Sequence, residues 1–248
     1  MAYNLTVIYL KKLYYLIIPV IVCSIIFTSS FGLKKGSVSK ADTKVNTTLP
    51  TIIIDAGHGG FDGGASTDDG YPEKDINLEI ALYVKKMLDL WGYNTVLTRD
   101  SDESLEDEGL TTIRQKKKSD IHNRMAIMDD IDNGIFVSIH QNHYSVERYS
   151  GAQVFYSRNF SDDSISLAQC IQESIISFLQ PDNTRLIKEC GDSVYLIYNA
   201  VKPAVLVECG FLSNNNESKL LMTDAYRRKI AYCIALGIQN FTLGELYG

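Results

Sequence analysis

The sequence predicts an α/β fold: a single domain with a twisted, mostly parallel central sheet flanked by helices. Short runs of β-branched and other apolar residues alternate with longer segments whose apolar residues recur at helical spacing. Strands that alternate with helices in this way are typical of domains in which helices cover a parallel sheet. Of the 248 residues, 45% are hydrophobic and 22% are charged, which excludes a disordered or coiled-coil chain.

The first predicted strand and helix lie on either side of a glycine-rich segment. Residues 51–55, TIIID, are mostly β-branched and stop at Ala-Gly-His-Gly-Gly. Within residues 75–90 the apolar residues recur at helical spacing, and Asp75 is suited to cap the helix. Gly92 ends this helix, and residues 93–98 are the next predicted strand.

The remainder of the chain continues the alternation of strands and helices. Further strands are predicted over residues 134–140, 152–156, 194–197 and 204–208, and further helices over residues 120–130, 164–179 and 224–243. Six of the nine residues 100–108 are acidic, which predicts a solvated loop between the second strand and the second helix.

The N-terminal residues 1–33 are predicted to be a secretory signal or a membrane anchor. Lys11 and Lys12 precede an uncharged apolar run, residues 13–27, which has the charge layout of an export segment but is short for a bilayer span. Residues 34–50 are polar, lack aromatic residues and end in proline, so we expect a linker. The folded body is then residues 51–248, and we expect it outside the cytoplasm, either held to the membrane through the N-terminal segment or secreted into the cell envelope.

Charge and cysteine content exclude two classes of protein. The chain has 24 Lys+Arg against 30 Asp+Glu and a net charge of -6. Nucleic acid is not expected as a partner, because binding to phosphates needs clustered Lys and Arg. The five cysteines form no C-x-x-C pair, which excludes a structural zinc knuckle. Cys170 and Cys233 lie among apolar residues and are predicted to be free buried thiols.

Polar residues that can bind a ligand or take part in catalysis follow three of the predicted strands. His58 comes just after the first strand, and His140 and Glu208 end two later ones. Ligand-binding groups in open α/β sheets gather beyond the carboxyl ends of the strands. Glu73 stands in a proline-containing loop just before the first helix. Two histidines and a carboxylate are a typical zinc set, and a further carboxylate can then act as general base.

Plainer interpretations exist for the same residues. A histidine at a strand end is often only a hydrogen-bonded structural residue, and Ala-Gly-His-Gly-Gly could be a phosphate-binding loop. The P-loop Lys-Ser/Thr pair is absent, and two of the four histidines occupy strand ends, which weakens both alternatives. Asn142 and Arg124 could bind substrate or support loops, and for Arg124 an ion pair within the fold is the favoured interpretation.

Six motifs follow one another between residues 52 and 217: IIIDAGHGGFDGGA, PEKDINLEIA, LTRDSD, SDIHNRMAIM, FVSIHQN and PAVLVECGFLSNNNE. In this order they resemble the motifs of the zinc-dependent N-acetylmuramoyl-L-alanine amidases of the amidase-3 type. The small size, the N-terminal segment and the EKDINL form look most like the sporulation and germination amidases. Those enzymes strip peptides from muramic acid and so make muramic-δ-lactam possible in spore cortex.

The resemblance implies a set of site residues and a reaction. One Zn²⁺ per chain would be held by His58, Glu73 and His140, with Glu208 as the catalytic glutamate. Apart from the resemblance, we expect Asn142 to contact the substrate. The bond cleaved would join the lactyl carbonyl of N-acetylmuramic acid to the amino group of L-alanine in peptidoglycan.

Two positions depart from the family pattern. Asp62-Gly63-Gly64 stands where the family often has Asp-Pro-Gly, which should loosen that loop. His143 stands where the family usually has a small residue. His143 could be a rim contact to the substrate, a competing ligand or a surface histidine; the last is the favoured interpretation, and we expect His143 not to bind zinc.

An activating partner is also expected, because amidases of this general kind are often governed by partner proteins. Ordering the glycine-rich segment before Glu73 costs free energy, so zinc should bind weakly to the body alone and more tightly with a partner, whose identity the sequence does not give. Two alternatives to the amidase stay open: a zinc peptidase that cuts within the stem peptide, and a catalytically silent wall-binding scaffold of the same fold.

Overall fold

The structure, a computed structural model, describes residues 49–159 and 161–247. The predicted signal or anchor segment and nearly all of the predicted linker lie outside these residues. Within the described part of the chain, none of the helices combines the length and the apolar character that crossing a bilayer requires.

Six strands form one sheet, and most of them run parallel. The strands are β1 (Thr51–Ala56), β2 (Thr95–Leu97), β3 (Gly134–Asn142), β4 (Gln153–Tyr156), β5 (Lys188–Glu189) and β6 (Ala204–Phe211). Their order across the sheet is β2-β1-β3-β6-β4-β5. Strands β2, β1, β3 and β6 are mutually parallel. Strand β4 pairs antiparallel with β6, and β5 pairs parallel with β4. The predicted fold class is therefore confirmed.

Six helices among the described residues cover the two faces of this sheet. They are α1 (Glu73–Leu90), α2 (Ile113–Asp129), α3 (Ser161–Phe178), α4 (Tyr195–Asn199), α5 (Asn215–Leu221) and α6 (Asp224–Tyr247). Side chains of α1, α3 and α6 pack into a larger core on one face, and side chains of α2 and α4 pack into a smaller core on the other. The four cysteines in the described part are free thiols; Cys233 is also buried as predicted, whereas Cys170 is only half-buried.

The alternation of side chains along each strand decides which core a residue enters. In β1, Ile52 and Ile54 contact the larger core, whereas Ile53 contacts the smaller one. In β3 and β6, Phe136 and Leu206 belong to the smaller core. On the same face, Ser138 and His140 follow Phe136, and Glu208 follows Leu206; these polar side chains line the candidate site.

Three elements differ from the sequence prediction. The predicted strand over residues 194–197 is wrong, because this segment forms α4 and buries Leu196 and Ile197 in the smaller core. A short apolar run does not distinguish a buried strand from a buried helical turn. The two-residue strand β5 and the helix α5, capped by the Asn214 side chain, were not predicted.

Helices α1 and α2 begin earlier than predicted. The first helical residue of α1 is Glu73, with Pro72 as its N-cap, so Glu73 belongs to the helix and not to the loop before it, and Asp75 is not the cap. Helix α2 begins at Ile113, after a capping box formed by Thr112 and Gln115. Its N-terminal half is largely exposed, so it carries no apolar periodicity that would predict a helix.

Candidate active site

Three of the predicted site residues line one cavity at the carboxyl edge of the sheet. His140 in β3 and Glu208 in β6 are directly paired across the two strands, so their side chains share the smaller-core face. His58 reaches the same cavity from the loop after β1. The cavity has a volume of about 340 Å³. Glu73 approaches from helix α1, on the other face of the sheet.

Glu73 brings the two histidines together. One carboxylate oxygen, Oε2, lies 3.3 Å from His58 Nε2, and the other, Oε1, lies 3.0 Å from His140 Nδ1. The two imidazole rings meet edge to face with centroids 4.9 Å apart. The three ligand atoms of this group all lie within 4.8 Å of one another. Two imidazoles and one carboxylate converging in this way fit a zinc ion, whose catalytic sites commonly use such a set.

The protein itself holds the Glu73 carboxylate in place. The backbone N–H of Ala65 donates to Oε2 at 2.9 Å, and the N–H of Gln141 donates to Oε1 at 3.0 Å. The Asn77 side chain, one helical turn later, also donates to Oε1. Burial raises the pKa of Glu73, but hydrogen bonds to His140 and His58 outweigh it and hold the pKa well below its usual range. The expected loose placement of Glu73 in a glycine-rich loop is therefore corrected.

Buried arginines fix the loop that carries His58. His58 has a φ of 61°, in the left-handed region that residues other than glycine rarely adopt. Arg124 donates to the carbonyls of Ala56 and His58, and Arg99 donates to those of Ala56 and Gly57. This unusual backbone conformation persists because three successive carbonyls accept hydrogen bonds from the two arginines.

Two glycines leave room for the site. A Cβ atom on Gly57 would lie 2.2 Å from His140 Nε2, and one on Gly64 would lie 2.5 Å from Glu73 Oε2. Gly64 also has a φ of 68°. Both positions therefore require glycine for steric reasons.

Asp62 orients His58, a role that the sequence did not indicate. Its Oδ2 lies 2.9 Å from His58 Nδ1, and its Oδ1 accepts from Lys117. Burial lowers the pKa of His58, but hydrogen bonds to Asp62 and Glu73 outweigh it and raise the pKa to about 9. Reciprocal backbone bonds of 2.9 and 3.0 Å join Gly59 and Asp62. The loop is thus closed by hydrogen bonds, contrary to the expectation that Asp62-Gly63-Gly64 loosens it.

Glu208 is half-buried beside the two histidines, and one of its carboxylate oxygens is fully buried. Its Oε2 has no hydrogen-bond partner among the described residues. Burial raises the pKa of Glu208 to about 7, with His140 opposing the shift and Glu73 adding to it. A carboxylate with such a pKa can both accept and donate a proton near neutral pH.

Arg124 forms the buried ion pair that the sequence favoured. Its Nη1 lies 2.6 Å from Asp55 Oδ1, and its Nε lies 2.8 Å from Asp120 Oδ2. Burial raises the pKa of Asp55, but Arg124 and a hydrogen bond from Ser138 lower it to about 2. Asp55 is therefore ionised, and Arg124 has a structural partner at the floor of the cavity.

The remaining predicted residues lie outside the cavity. Asn142 is half-buried at the end of β3, is absent from the cavity lining, and accepts the N–H of Leu212 through its carbonyl. His143 is exposed and is not part of the His-Glu-His group. The site residues that sequence reasoning missed are Asp62 and Asn77. The signal for Asn77 was its spacing, one helical turn after Glu73. Asp62 lies in a loop, where its spacing from His58 carries no such signal.

Comparison with known proteins identifies the family. The family described as "N-acetylmuramoyl-L-alanine amidase" (Amidase_3) matches residues 52–240. The germination-specific N-acetylmuramoyl-L-alanine amidase of Bacillus subtilis is 35% identical over 190 residues, which cover 77% of this chain and 78% of that protein. The amidase LytC of the same organism is 28% identical over 213 residues, which cover 83% of this chain and 39% of that protein.

Solved structures agree with these relatives. The CwlD amidase of Clostridioides difficile, solved in complex with the GerS lipoprotein, is 42% identical with a TM-score of 0.76, covering 79% of this chain and 100% of that one. The amidase AmiC2 of Nostoc punctiforme is 28% identical with a TM-score of 0.66, covering 78% of this chain and 97% of that one. The chain therefore belongs to the Amidase_3 family of N-acetylmuramoyl-L-alanine amidases, hydrolases that act on peptidoglycan.

Proposed function

We propose that the chain is a zinc-dependent amidase that acts in spore cortex maturation, with one Zn²⁺ held by His58, Glu73 and His140. The observation that carries the metal assignment is the convergence of the three ligand atoms within 4.8 Å of one another. When bound, zinc polarises the scissile carbonyl and lowers the pKa of a water molecule. Asp62, hydrogen-bonded to the far nitrogen of His58, sets the orientation of that ligand ring.

Glu208 is proposed as the general base and acid. It lines the cavity with both histidines, and its unsatisfied oxygen is free to accept a proton. Glu208 takes a proton from the attacking water as the new C–O bond forms at the lactyl carbonyl. It then passes that proton to the amide nitrogen as the C–N bond breaks. The products are a lactyl carboxylate on muramic acid and a free amino group on L-alanine.

Analysis of the products tests the reaction. The full-length chain is incubated with cortex peptidoglycan, and the newly exposed amines are labelled and identified. The proposal expects the label on L-alanine, the first stem residue. A label on a later stem residue would identify a zinc peptidase, and no new amine at all would indicate a silent scaffold.

The cortex role and the cellular location rest on the relatives and on the N-terminal sequence. The relative in B. subtilis is named germination-specific, and the structural neighbour CwlD was solved with a lipoprotein. We infer that this chain also works outside the cytoplasm, held by residues 1–33, with an activating partner protein. Hydrolysis of cortex peptidoglycan by the full-length chain, with and without envelope extract of sporulating source cells, tests the partner. Faster hydrolysis with the extract, after the rate of the extract alone is subtracted, is expected, and equal rates would contradict it.

A further inference from the structure

The cavity that contains Glu208 extends along an uncharged wall that the proposed reaction does not use. This wall, called here the α4 wall, is formed by Ile121, Ser193, Val194, Tyr195, Leu196 and Leu206. It combines apolar side chains with one aromatic ring and one hydroxyl group. Charged residues also line this cavity, but they are paired within the protein: Arg124 with Asp55 and Asp120, and Asp62 with Lys117 and His58. A ligand portion that binds along the α4 wall must therefore be neutral and partly apolar, because an ionic group would find no charge left to pair with it.

Tyr195 gives the α4 wall a supported aromatic surface. The tyrosine is 41% exposed although it lines the cavity. Its ring stacks on that of His122 in α2, with centroids 5.5 Å apart and an interplanar angle of 28°. A ring backed by a second ring loses little conformational freedom when a ligand covers its other face.

The substrate has two parts beside the scissile amide, and only one suits this wall. The stem peptide continues from L-alanine with an acidic residue, whose carboxylate would find no cation on the α4 wall. The N-acetylated sugar is uncharged; the C–H groups of its ring pack against aromatic faces, and its acetamido methyl group is apolar. The cavity volume, about 340 Å³, lies within the range of about 300–1,000 Å³ found for small-molecule sites.

We propose that the α4 wall binds the N-acetylmuramic acid ring, with Tyr195 as the residue on which the sugar stacks. The inference rests on the proposed function, since it names the part of the same substrate that this side of the cavity recognises. It assigns Tyr195 to sugar specificity, separate from the metal ligands and from Glu208.

A pair of substrates that differ only in the sugar tests this assignment. The full-length chain is assayed on N-acetylmuramoyl-L-alanyl-D-isoglutamine and on N-lactoyl-L-alanyl-D-isoglutamine, which keeps the scissile bond but lacks the ring. Tyr195→Ala should lower kcat/KM for the sugar-bearing substrate by about tenfold and leave kcat/KM for the lactoyl peptide unchanged. Tyr195→Phe should behave as wild type, because the face of the ring is retained.

Tyr232 is the matched control, because it is also 41% exposed but lies on α6 and not in this cavity. Tyr232→Ala should leave kcat/KM unchanged for both substrates. An equal loss of kcat/KM on both substrates in Tyr195→Ala, or a loss on neither, would overturn the sugar assignment. If wild type releases no alanyl amine from either substrate, the proposed function itself fails.

A binding measurement separates sugar recognition from turnover. Methyl N-acetyl-β-D-glucosaminide, a neutral sugar without the scissile bond, is titrated against the folded protein by NMR. The proposal expects saturable shifts that Tyr195→Ala weakens about tenfold and that Tyr232→Ala leaves intact. Equal binding to wild type and Tyr195→Ala would contradict the proposal even if hydrolysis were altered.

Discussion

At the scale of single residues, the site depends on Arg124, a buried arginine that holds the backbone around His58. Arg124 reaches Asp55, Asp120 and the carbonyls of Ala56 and His58 at the same time. A planar guanidinium with five donors can satisfy this arrangement, whereas an ammonium group cannot. The left-handed backbone of His58 therefore has a definite physical support in Arg124.

Arg124→Lys is predicted to weaken zinc binding by about tenfold or more and to lower the free energy of unfolding by about 1–3 kcal/mol, because donors to the His58 carbonyl and to Asp55 are lost. Metal titration and denaturant unfolding measure the two effects. Arg228→Lys is the control, since that exposed arginine pairs with Asp224 and Tyr83 and lies far from the metal ligands in the fold, on α6. If Arg124→Lys binds zinc as tightly as wild type does, the hydrogen bonds from Arg124 do not position His58.

Zinc affinity is predicted to depend on pH through His58. Its pKa is raised from 6.5 to about 9, so below that value zinc must displace a proton from the ring. As pH falls from about 9 to 7, the apparent zinc affinity should fall by about tenfold per pH unit. Asp62→Asn removes a group that raises this pKa and should flatten the dependence. Competition titrations with a zinc chelator would contradict the account if wild-type affinity were the same at both ends of the range.

At the scale of elements, the start of α1 and the loop before it form one unit. Glu73 is the first residue of the helix, and the Ala65 N–H of the preceding loop donates to its carboxylate. Gly64 stands where any side chain would press on that carboxylate. The geometry of the metal ligand is thus set by a helix terminus and a loop together.

Two glycines of this loop allow the steric contact to be tested separately from backbone strain. Gly64 and Gly70 both have positive φ, 68° and 81°, but a Cβ on Gly70 would meet nothing within 4 Å. Each change to alanine should cost about 1 kcal/mol of stability through backbone strain. Only Gly64→Ala should also weaken zinc binding, by displacing Glu73. Equal zinc affinities of the two variants would show that glycine is required at position 64 only for its backbone conformation, and not to leave room for Glu73.

At the scale of the whole molecule, the sequence predicts what local patterns encode. The strands around His58, His140 and Glu208 were predictable because each apolar run ends at a polar residue, and the parallel sheet then brings those ends together. The hydrogen bonds from Arg124 to the carbonyls of Ala56 and His58 were not predictable, because these residues lie more than 60 positions away in the sequence. Helix α4 was missed because burial, and not periodicity, decides the conformation of a short apolar run.

The central claim is that two histidines and Glu73 hold zinc while Glu208 moves the proton. The most direct test measures zinc content and hydrolysis together in the full-length variants His140→Ala, Glu208→Gln and, as a control, His143→Ala. His140→Ala should lose both zinc and activity, and His143→Ala should keep its full zinc content, with at most a modest change in substrate affinity. Glu208→Gln should keep near-stoichiometric zinc while turnover falls by about 10² or more. Loss of zinc from Glu208→Gln, or full activity without Glu208, would contradict the account.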